Sequence, residues 1–108
     1  MRIISGKAKG MKLKTPKGYV TRPTSGRVKE AIFNIIQGYS INGKILDLFA
    51  GTGALGLEAL SRGADYAVFV ENYPPTAKIL EANIENTRFS AQSAIFKQDA
   101  LSFIKNYQ

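Results

Sequence analysis

Histidine and cysteine are both absent from this chain of 108 residues. Without cysteine there can be no disulfide, no thiolate nucleophile and no cysteine-ligated metal. Without histidine the chain lacks the commonest general base and the commonest metal ligand, so we expect no metal site. No apolar run approaches the roughly 20 residues that cross a bilayer, so no membrane partner is expected. The N-terminal MRIISGKAKG lacks the apolar core of a signal peptide, which predicts a cytoplasmic protein.

Acidic residues are scarce in the first part of the chain. Residues 1–44 carry ten Lys or Arg against one acid, Glu30, for a net charge of +9, whereas residues 45–108 carry five basic and seven acidic residues, for −2. A basic arm on a near-neutral body favours a polyanionic partner, because each neutralised phosphate releases condensed counterions. The arm has no lipid-facing apolar stripe, so nucleic acid is favoured over membrane. A basic surface that is merely solvated is the alternative that charge alone leaves open.

Apolar patterning predicts a single α/β domain. Strand and helix alternate after a basic hairpin, which implies right-handed crossovers and a parallel sheet flanked by helices. The predicted strands span 2–5, 11–15, 44–49, 66–71 and 93–99. The predicted helices run from Thr24 or Ser25 to Gly38, over 54–63, over 74–87, and from 100 onward.

The stretch ILDLFAGTGALGLEAL, residues 45–60, contains G-x-G-x-x-G at Gly51, Gly53 and Gly56. This pattern commonly holds the pyrophosphate of a dinucleotide. Asp47, in the strand before the glycines, would repel that phosphate. S-adenosylmethionine carries no phosphate and presents a cationic ammonium and sulfonium, so a carboxylate beside a close-approach loop favours it. A tight turn with a purely structural role is the alternative.

Two more acidic residues follow the next predicted strands. Glu71 ends the predicted strand 66–71, 20 residues after Gly51, where a carboxylate can accept hydrogen bonds from both ribose hydroxyls of either cofactor. Asp99, at the end of the predicted strand 93–99, could accept a hydrogen bond from an adenine amino group. A simple helix N-cap is the other reading of Asp99.

The segment DLFAGTGALGLEA, residues 47–59, looks like motif I of class I methyltransferases. Together with RPTSGRVKEAIFN at 22–34 and an N-terminal R-I-I-S-G-x-x-x-G-x-x-L, it resembles the bacterial family that methylates a guanine N2 of 16S ribosomal RNA (RsmD type). The resemblance covers essentially the whole chain. It implies a Rossmann-like class I methyltransferase fold with an N-terminal β-hairpin arm, and S-adenosyl-L-methionine as methyl donor. It also implies 16S ribosomal RNA, in the small subunit or its assembly intermediate, as substrate.

The resemblance also implies roles for individual residues. Asp47, Gly51 and Gly53 would line the methionine part of the donor, Glu71 the ribose and Asp99 the adenine. Phe49, in the same loop, is also predicted to bind the donor. In the basic arm we expect Arg22, Arg27 and Lys29 to contact RNA phosphates. The family often has aspartate where Gly26 stands, so the resemblance says less about this loop than about the cofactor site.

A catalytic Asp/Asn-Pro-Pro-Tyr/Phe follows the fourth strand in the family, where it grips the amino group of a flipped base. No such tetrapeptide occurs in residues 1–108. The segment Asn72-Tyr73-Pro74-Pro75 has a different order, and its prolines are suited to begin a helix, so we reject it as the catalytic motif.

We therefore expect a substrate-side arm at 1–44 and a cofactor-binding half at 45–108, with no catalytic residue. The free edge of the first strand, where a fourth would pair, invites self-association. An RNA-binding fragment without catalysis is one alternative. A nicotinamide-dependent oxidoreductase is another, against which Asp47 and the arm argue.

Overall fold

A computed structural model describes residues 1–15, 32 and 43–106. Its strands are β1 (Lys44–Asp47), β2 (Tyr66–Val70) and β3 (Ser93–Phe96). Its helices are α1 (Ala54–Ser61), α2 (Pro74–Asn86) and α3 (Ala100–Asn106), with a 3₁₀ turn at Ser90–Gln92. The helix predicted over 24–38 lies outside the described residues, apart from Ile32, which is helical. Arg22, Arg27 and Lys29 lie outside them as well.

The three strands form one parallel sheet in the order β1-β2-β3. Leu46 of β1 lies opposite Val68 of β2, and Phe69 of β2 lies opposite Ile95 of β3. This arrangement confirms the predicted α/β fold with helical crossovers between parallel strands. Among the described residues β1 pairs with β2 alone, and no second strand lies on its other side.

The core lies between the central strand and the first two helices. Ala67 and Phe69 of β2 are fully buried in one apolar cluster with Leu57 and Leu60 of α1 and Leu80 of α2. Burial on this scale, at about 25 cal/mol per Å² of apolar surface, is the main force that holds the helices on the sheet. No helix in the described part of the chain is long and apolar enough to cross a membrane.

The N-terminal hairpin, residues 1–15, differs from its prediction. The strands predicted at 2–5 and 11–15 are wrong, because the segment forms a single antiparallel bridge between Arg2 and Lys12. The pairing itself is present: the Ile3 amide donates to the Met11 carbonyl at 3.0 Å, and the Leu13 amide donates to the Met1 carbonyl at 2.7 Å.

Helix α1 explains why the hairpin has no longer strands. The amides of Ile4 and Ser5 donate to the Glu58 carboxylate at 3.0 and 3.1 Å, and the Ala8 amide donates to Ser61 Oγ at 2.9 Å. A longer antiparallel ladder would need some of these amides as donors to the opposite strand, but they already donate to side chains of α1. Since Glu58 and Ser61 are both buried, the same hydrogen bonds compensate the cost of removing two polar side chains from water.

Candidate functional site

Acidic residues mark the carboxyl ends of all three strands. Asp47 is the last residue of β1, Glu71 directly follows β2, and Asp99 follows β3 by three positions. Because the strands are parallel, their carboxyl ends meet at the same edge of the sheet, which is where open α/β sheets bind ligands. The predicted site residues therefore share one edge of the molecule.

The glycine loop, residues 48–53, joins β1 to α1 at this edge. The Ala50 amide donates to the Val70 carbonyl at 3.0 Å, and the Gly53 amide donates to the Ala50 carbonyl at 2.9 Å. Gly51 and Gly53 have φ angles of 56° and 93°, a left-handed conformation that favours glycine. Gly53 precedes α1 without a side-chain cap. The loop thus turns the chain tightly above the ends of β1 and β2.

The three glycines of the motif have different surroundings. A methyl group on Gly53 would lie 2.6 Å from Leu80 Cδ1, and one on Gly56 would lie 2.3 Å from Phe69 Cε1. A methyl group on Gly51 would meet no heavy atom of the described residues within 4 Å. Packing therefore accounts for Gly53 and Gly56, as in a structural turn. Within the part of the chain that the structure describes, the backbone of Gly51 faces open space, which a ligand could approach closely.

Glu71 ties the glycine loop to the end of β2. Its Oε1 accepts a hydrogen bond from the Gly51 amide at 2.8 Å, and its Oε2 accepts one from the Tyr73 amide at 3.0 Å. The Glu71 amide in turn donates to the Phe96 carbonyl at 3.1 Å. A carboxylate offers about four lone-pair sites, so this one can hold the loop and still accept hydrogen bonds from a ligand.

Asp47 is a half-buried carboxylate beside a second one. Its Oδ1 accepts a hydrogen bond from the Phe49 amide at 3.2 Å. Burial raises the pKa of Asp47, the Phe49 amide opposes this shift, and the charge of Glu71 adds to it. No cationic side chain of residues 1–15 or 43–106 forms an ion pair with Asp47. Such a carboxylate is suited to a cationic ligand, because the ligand's charge would compensate its own.

The ring of Phe49 lies next to this carboxylate in the chain and is 82% exposed. An aromatic side chain so open to solvent contributes little to the core. It leaves an apolar surface at the rim of the site.

Asp99 caps α3. Its Oδ1 accepts a hydrogen bond from the Ser102 amide at 2.8 Å, and its Oδ2 accepts one from Ser102 Oγ at 3.0 Å. The hydrogen bonds from Ser102 lower the pKa of Asp99. The helix cap is therefore present in the structure, and the contact of Asp99 with adenine stays a prediction.

Some polar residues that organise this region were missed by sequence reasoning. Asn83 of α2 is fully buried, as is Glu58 of α1. The sequence could have indicated the burial of Asn83, because this residue lies on the same helix face as Leu80 and Ile84, which are buried in the core. The described part of the chain contains no group of three or more side chains that could hold a metal ion.

Comparison with known proteins identifies the family. The family model described as Conserved hypothetical protein 95 matches residues 1–108. The Bacillus subtilis protein named "Putative rRNA methyltransferase YlbH" is 43% identical over 100 residues, which cover 93% of this chain and 54% of that protein. Ribosomal RNA small subunit methyltransferase D of Haemophilus influenzae is 39% identical over 109 residues, covering 100% of this chain and 56% of that protein. The chain thus spans about half the length of these relatives.

A solved structure extends the similarity to the fold. The protein named "Putative methyltransferase yhhF from Escherichia coli" superposes with a TM-score of 0.83 at 36% identity, covering 96% of this chain and 55% of that one. The predicted class I methyltransferase fold is confirmed by this likeness, together with the parallel sheet and its flanking helices. The chain belongs to the family described as Conserved hypothetical protein 95, the family of ribosomal RNA small subunit methyltransferase D.

Proposed function

We propose that residues 1–108 form the donor-binding and RNA-facing half of an S-adenosyl-L-methionine-dependent methyltransferase. Its substrate is a guanine N2 of 16S ribosomal RNA, in the small subunit or its assembly intermediate. The observation that carries the proposal is the pairing of a carboxylate, Asp47, that no cation of the described residues compensates, with a glycine backbone, Gly51, whose Cα faces no heavy atom of those residues. The names of the relatives support ribosomal RNA as the substrate class.

The residues at the sheet edge fit the donor group by group. Asp47 accepts its ammonium, Gly51 allows the methionine part to approach the backbone, and Glu71 uses its remaining lone pairs on the ribose hydroxyls. Phe49 covers the ligand with its exposed ring. The proposed contact of Asp99 is with the adenine amino group. When bound, S-adenosyl-L-methionine supplies the methyl group that is transferred.

A nicotinamide dinucleotide fits the same edge less well. Its pyrophosphate would lie against the glycine loop, within reach of the Asp47 carboxylate and close to Glu71. Two like charges about 4 Å apart repel by about 4 kcal/mol at the effective dielectric of a protein surface. No cation from the described residues lies between them to reduce this repulsion.

The RNA-facing side is the basic arm. Its described part, residues 1–15, carries Arg2, Lys7, Lys9, Lys12 and Lys14, all exposed, and no acidic residue. The segment with Arg22, Arg27 and Lys29 directly continues this part of the chain. Residues 1–108 contain no Asp/Asn-Pro-Pro-Tyr/Phe, so we assign them the binding of donor and RNA and not the transfer itself.

Isothermal titration calorimetry with three ligands tests the proposal. S-adenosylmethionine and S-adenosylhomocysteine should both bind the chain with one site, and NAD⁺ should not bind at the same concentrations. S-adenosylhomocysteine keeps the ammonium, ribose and adenine but lacks the sulfonium, so it should retain most of the contacts. Binding of NAD⁺ in place of the two methionine-containing ligands would favour the oxidoreductase alternative. If the chain binds RNA but none of these three ligands, it is an RNA-binding module without a cofactor.

A further inference from the structure

Asn83 lies at the junction of the two parts to which the proposed function gives roles. Its Nδ2 donates to the Thr52 carbonyl of the glycine loop at 2.9 Å and to the Lys14 carbonyl of the hairpin at 3.0 Å. Its Oδ1 accepts a hydrogen bond from the Lys14 amide at 2.7 Å. The side chain is fully buried, so one amide group joins α2, the loop and the hairpin inside the molecule.

The chemistry of an amide explains why asparagine occupies this position. An amide group has two N–H donors and an acceptor oxygen, and here the two donors serve two different carbonyls while the oxygen serves an N–H. The orientation of the Asn83 amide is fixed by its partners, because the Lys14 amide can only donate. An apolar side chain of the same size would remove these partners from the buried Thr52 carbonyl and from two part-buried backbone groups of Lys14.

Both partners of Asn83 adjoin functional segments. Thr52 lies between Gly51 and Gly53 in the proposed donor site. Lys14 ends the described hairpin and precedes the segment that carries Arg22, Arg27 and Lys29. Glu58 and Ser61 anchor a different part of the hairpin, Ile4 to Ala8, from helix α1. Asn83 therefore connects the end of the described hairpin directly to the glycine loop.

We propose that Asn83 is a positioning residue that couples donor binding to RNA binding. The inference rests on the proposed function, since it assigns the loop to the donor and the hairpin to RNA. A donor that orders the loop around Thr52 also fixes the Asn83 amide, and through it the hairpin at Lys14. Part of the conformational entropy that RNA binding would cost has then already been lost on donor binding, so RNA binds more tightly by some factor. By thermodynamic linkage, RNA tightens donor binding by the same factor.

The test measures RNA affinity with and without saturating S-adenosylhomocysteine, using 16S ribosomal RNA transcribed in vitro and a filter-binding or fluorescence assay. In the unaltered chain S-adenosylhomocysteine should tighten RNA binding by about fivefold or more, the lower end of common coupling. Asn83→Leu, which has nearly the same size, should bring this factor to about one. A weaker affinity for each ligand alone would follow from any structural damage, whereas the loss of their coupling would not.

Thr87→Val is the matched control. Thr87 is buried at the C-terminal end of α2, and its Oγ1 donates to the carbonyls of Asn83 and Ile84, so the variant loses buried hydrogen bonds to α2 that involve neither the loop nor the hairpin. It should keep the coupling factor of the unaltered chain. A Thr87→Val variant that also loses the coupling would show that general loosening of α2 is the cause, and would overturn the proposal.

The remaining outcomes separate the two proposals. If S-adenosylhomocysteine does not bind the unaltered chain, the proposed function fails and the inference with it. If both ligands bind but independently, only the inference fails. Should Asn83→Leu not fold, hydrogen exchange on the unaltered chain decides, because S-adenosylhomocysteine should slow exchange of the Lys14 amide. An unchanged exchange rate there would overturn the coupling.

Discussion

At the scale of single residues, Asp47 and Glu71 differ in how far the protein itself stabilises their carboxylates. Glu71 is satisfied, with both carboxylate oxygens bonded to backbone amides of its surroundings. Asp47 has one hydrogen bond from the Phe49 amide, which does not offset the burial that raises its pKa. Sequence spacing placed both residues correctly at the sheet edge. It could not show which of them the protein itself stabilises, because that depends on the fold of the loop between them.

The first prediction concerns Asp47→Asn, which keeps the oxygen that accepts from Phe49 and removes the charge. A raised pKa means that the folded chain favours the protonated carboxyl, so the ionised form reduces stability as pH rises from the ordinary value of 3.8 through the raised pKa. The variant should melt at a higher temperature than the unaltered chain at pH 7 but not near pH 4. It should bind S-adenosylhomocysteine more weakly, by about 1–3 kcal/mol for a lost charge-assisted hydrogen bond.

Asp65→Asn is the control for this prediction. Asp65 immediately precedes β2 at the opposite end of the sheet, is exposed, and accepts a hydrogen bond from the Gly43 amide. This variant should leave the affinity for S-adenosylhomocysteine unchanged in calorimetry. If Asp47→Asn bound the ligand as tightly as the unaltered chain and melted at a lower temperature, the role of Asp47 toward a cation would be refuted.

At the scale of elements, the described sheet, its helices and the presence of the hairpin were predictable, whereas the extent of strand pairing within the hairpin was not. β-branched and aromatic residues over 66–70 predicted β2, and the prolines at 74 and 75 begin α2, as expected when Asn72–Pro75 was rejected as a catalytic motif. Such signals are local. The hairpin amides are instead bonded to Glu58 and Ser61, which lie more than 50 positions further along the chain. No local pattern could reveal those partners.

The second prediction compares Gly51→Ala with Gly56→Ala. A methyl group on Gly56 would meet the buried Phe69 ring, and such overpacking should reduce the free energy of unfolding by about 1–3 kcal/mol. The methyl group on Gly51 has room, so the main cost should be the left-handed backbone, about 1–2 kcal/mol. Only Gly51→Ala should weaken the binding of S-adenosylhomocysteine, by tenfold or more, since its methyl group fills the space left for the ligand.

Urea denaturation and calorimetry on the two variants check this comparison. The affinity of Gly56→Ala is measured in buffer without urea and is corrected for the fraction of molecules that are folded. Equal affinities for the two variants would mean that the open space at Gly51 is not the ligand's. The glycine loop would then be a tight turn whose glycines are needed for packing alone.

At the scale of the whole molecule, charge is distributed unevenly along the chain. The arm at 1–44 has a net charge of +9, and the body at 45–108, with the sheet and the three acidic strand ends, has −2. The edge of β1 that no described strand pairs carries Leu46, which is 52% exposed, and self-association through this edge stays a prediction. Under the proposed function, the arm would hold RNA electrostatically and the body would hold the donor by specific contacts.

The last prediction tests that division through the salt dependence of RNA binding. Replacing Arg22, Arg27 and Lys29 by alanine should remove three phosphate contacts and lower the slope of log affinity against log salt by about two to three units. Replacing the exposed Lys78, Lys97 and Lys105 of the body removes the same charge and should change the slope much less. Filter binding between low and physiological salt measures both. Equal changes in the two triple variants would mean that RNA responds only to net charge, and that the basic arm is no more than a solvated surface.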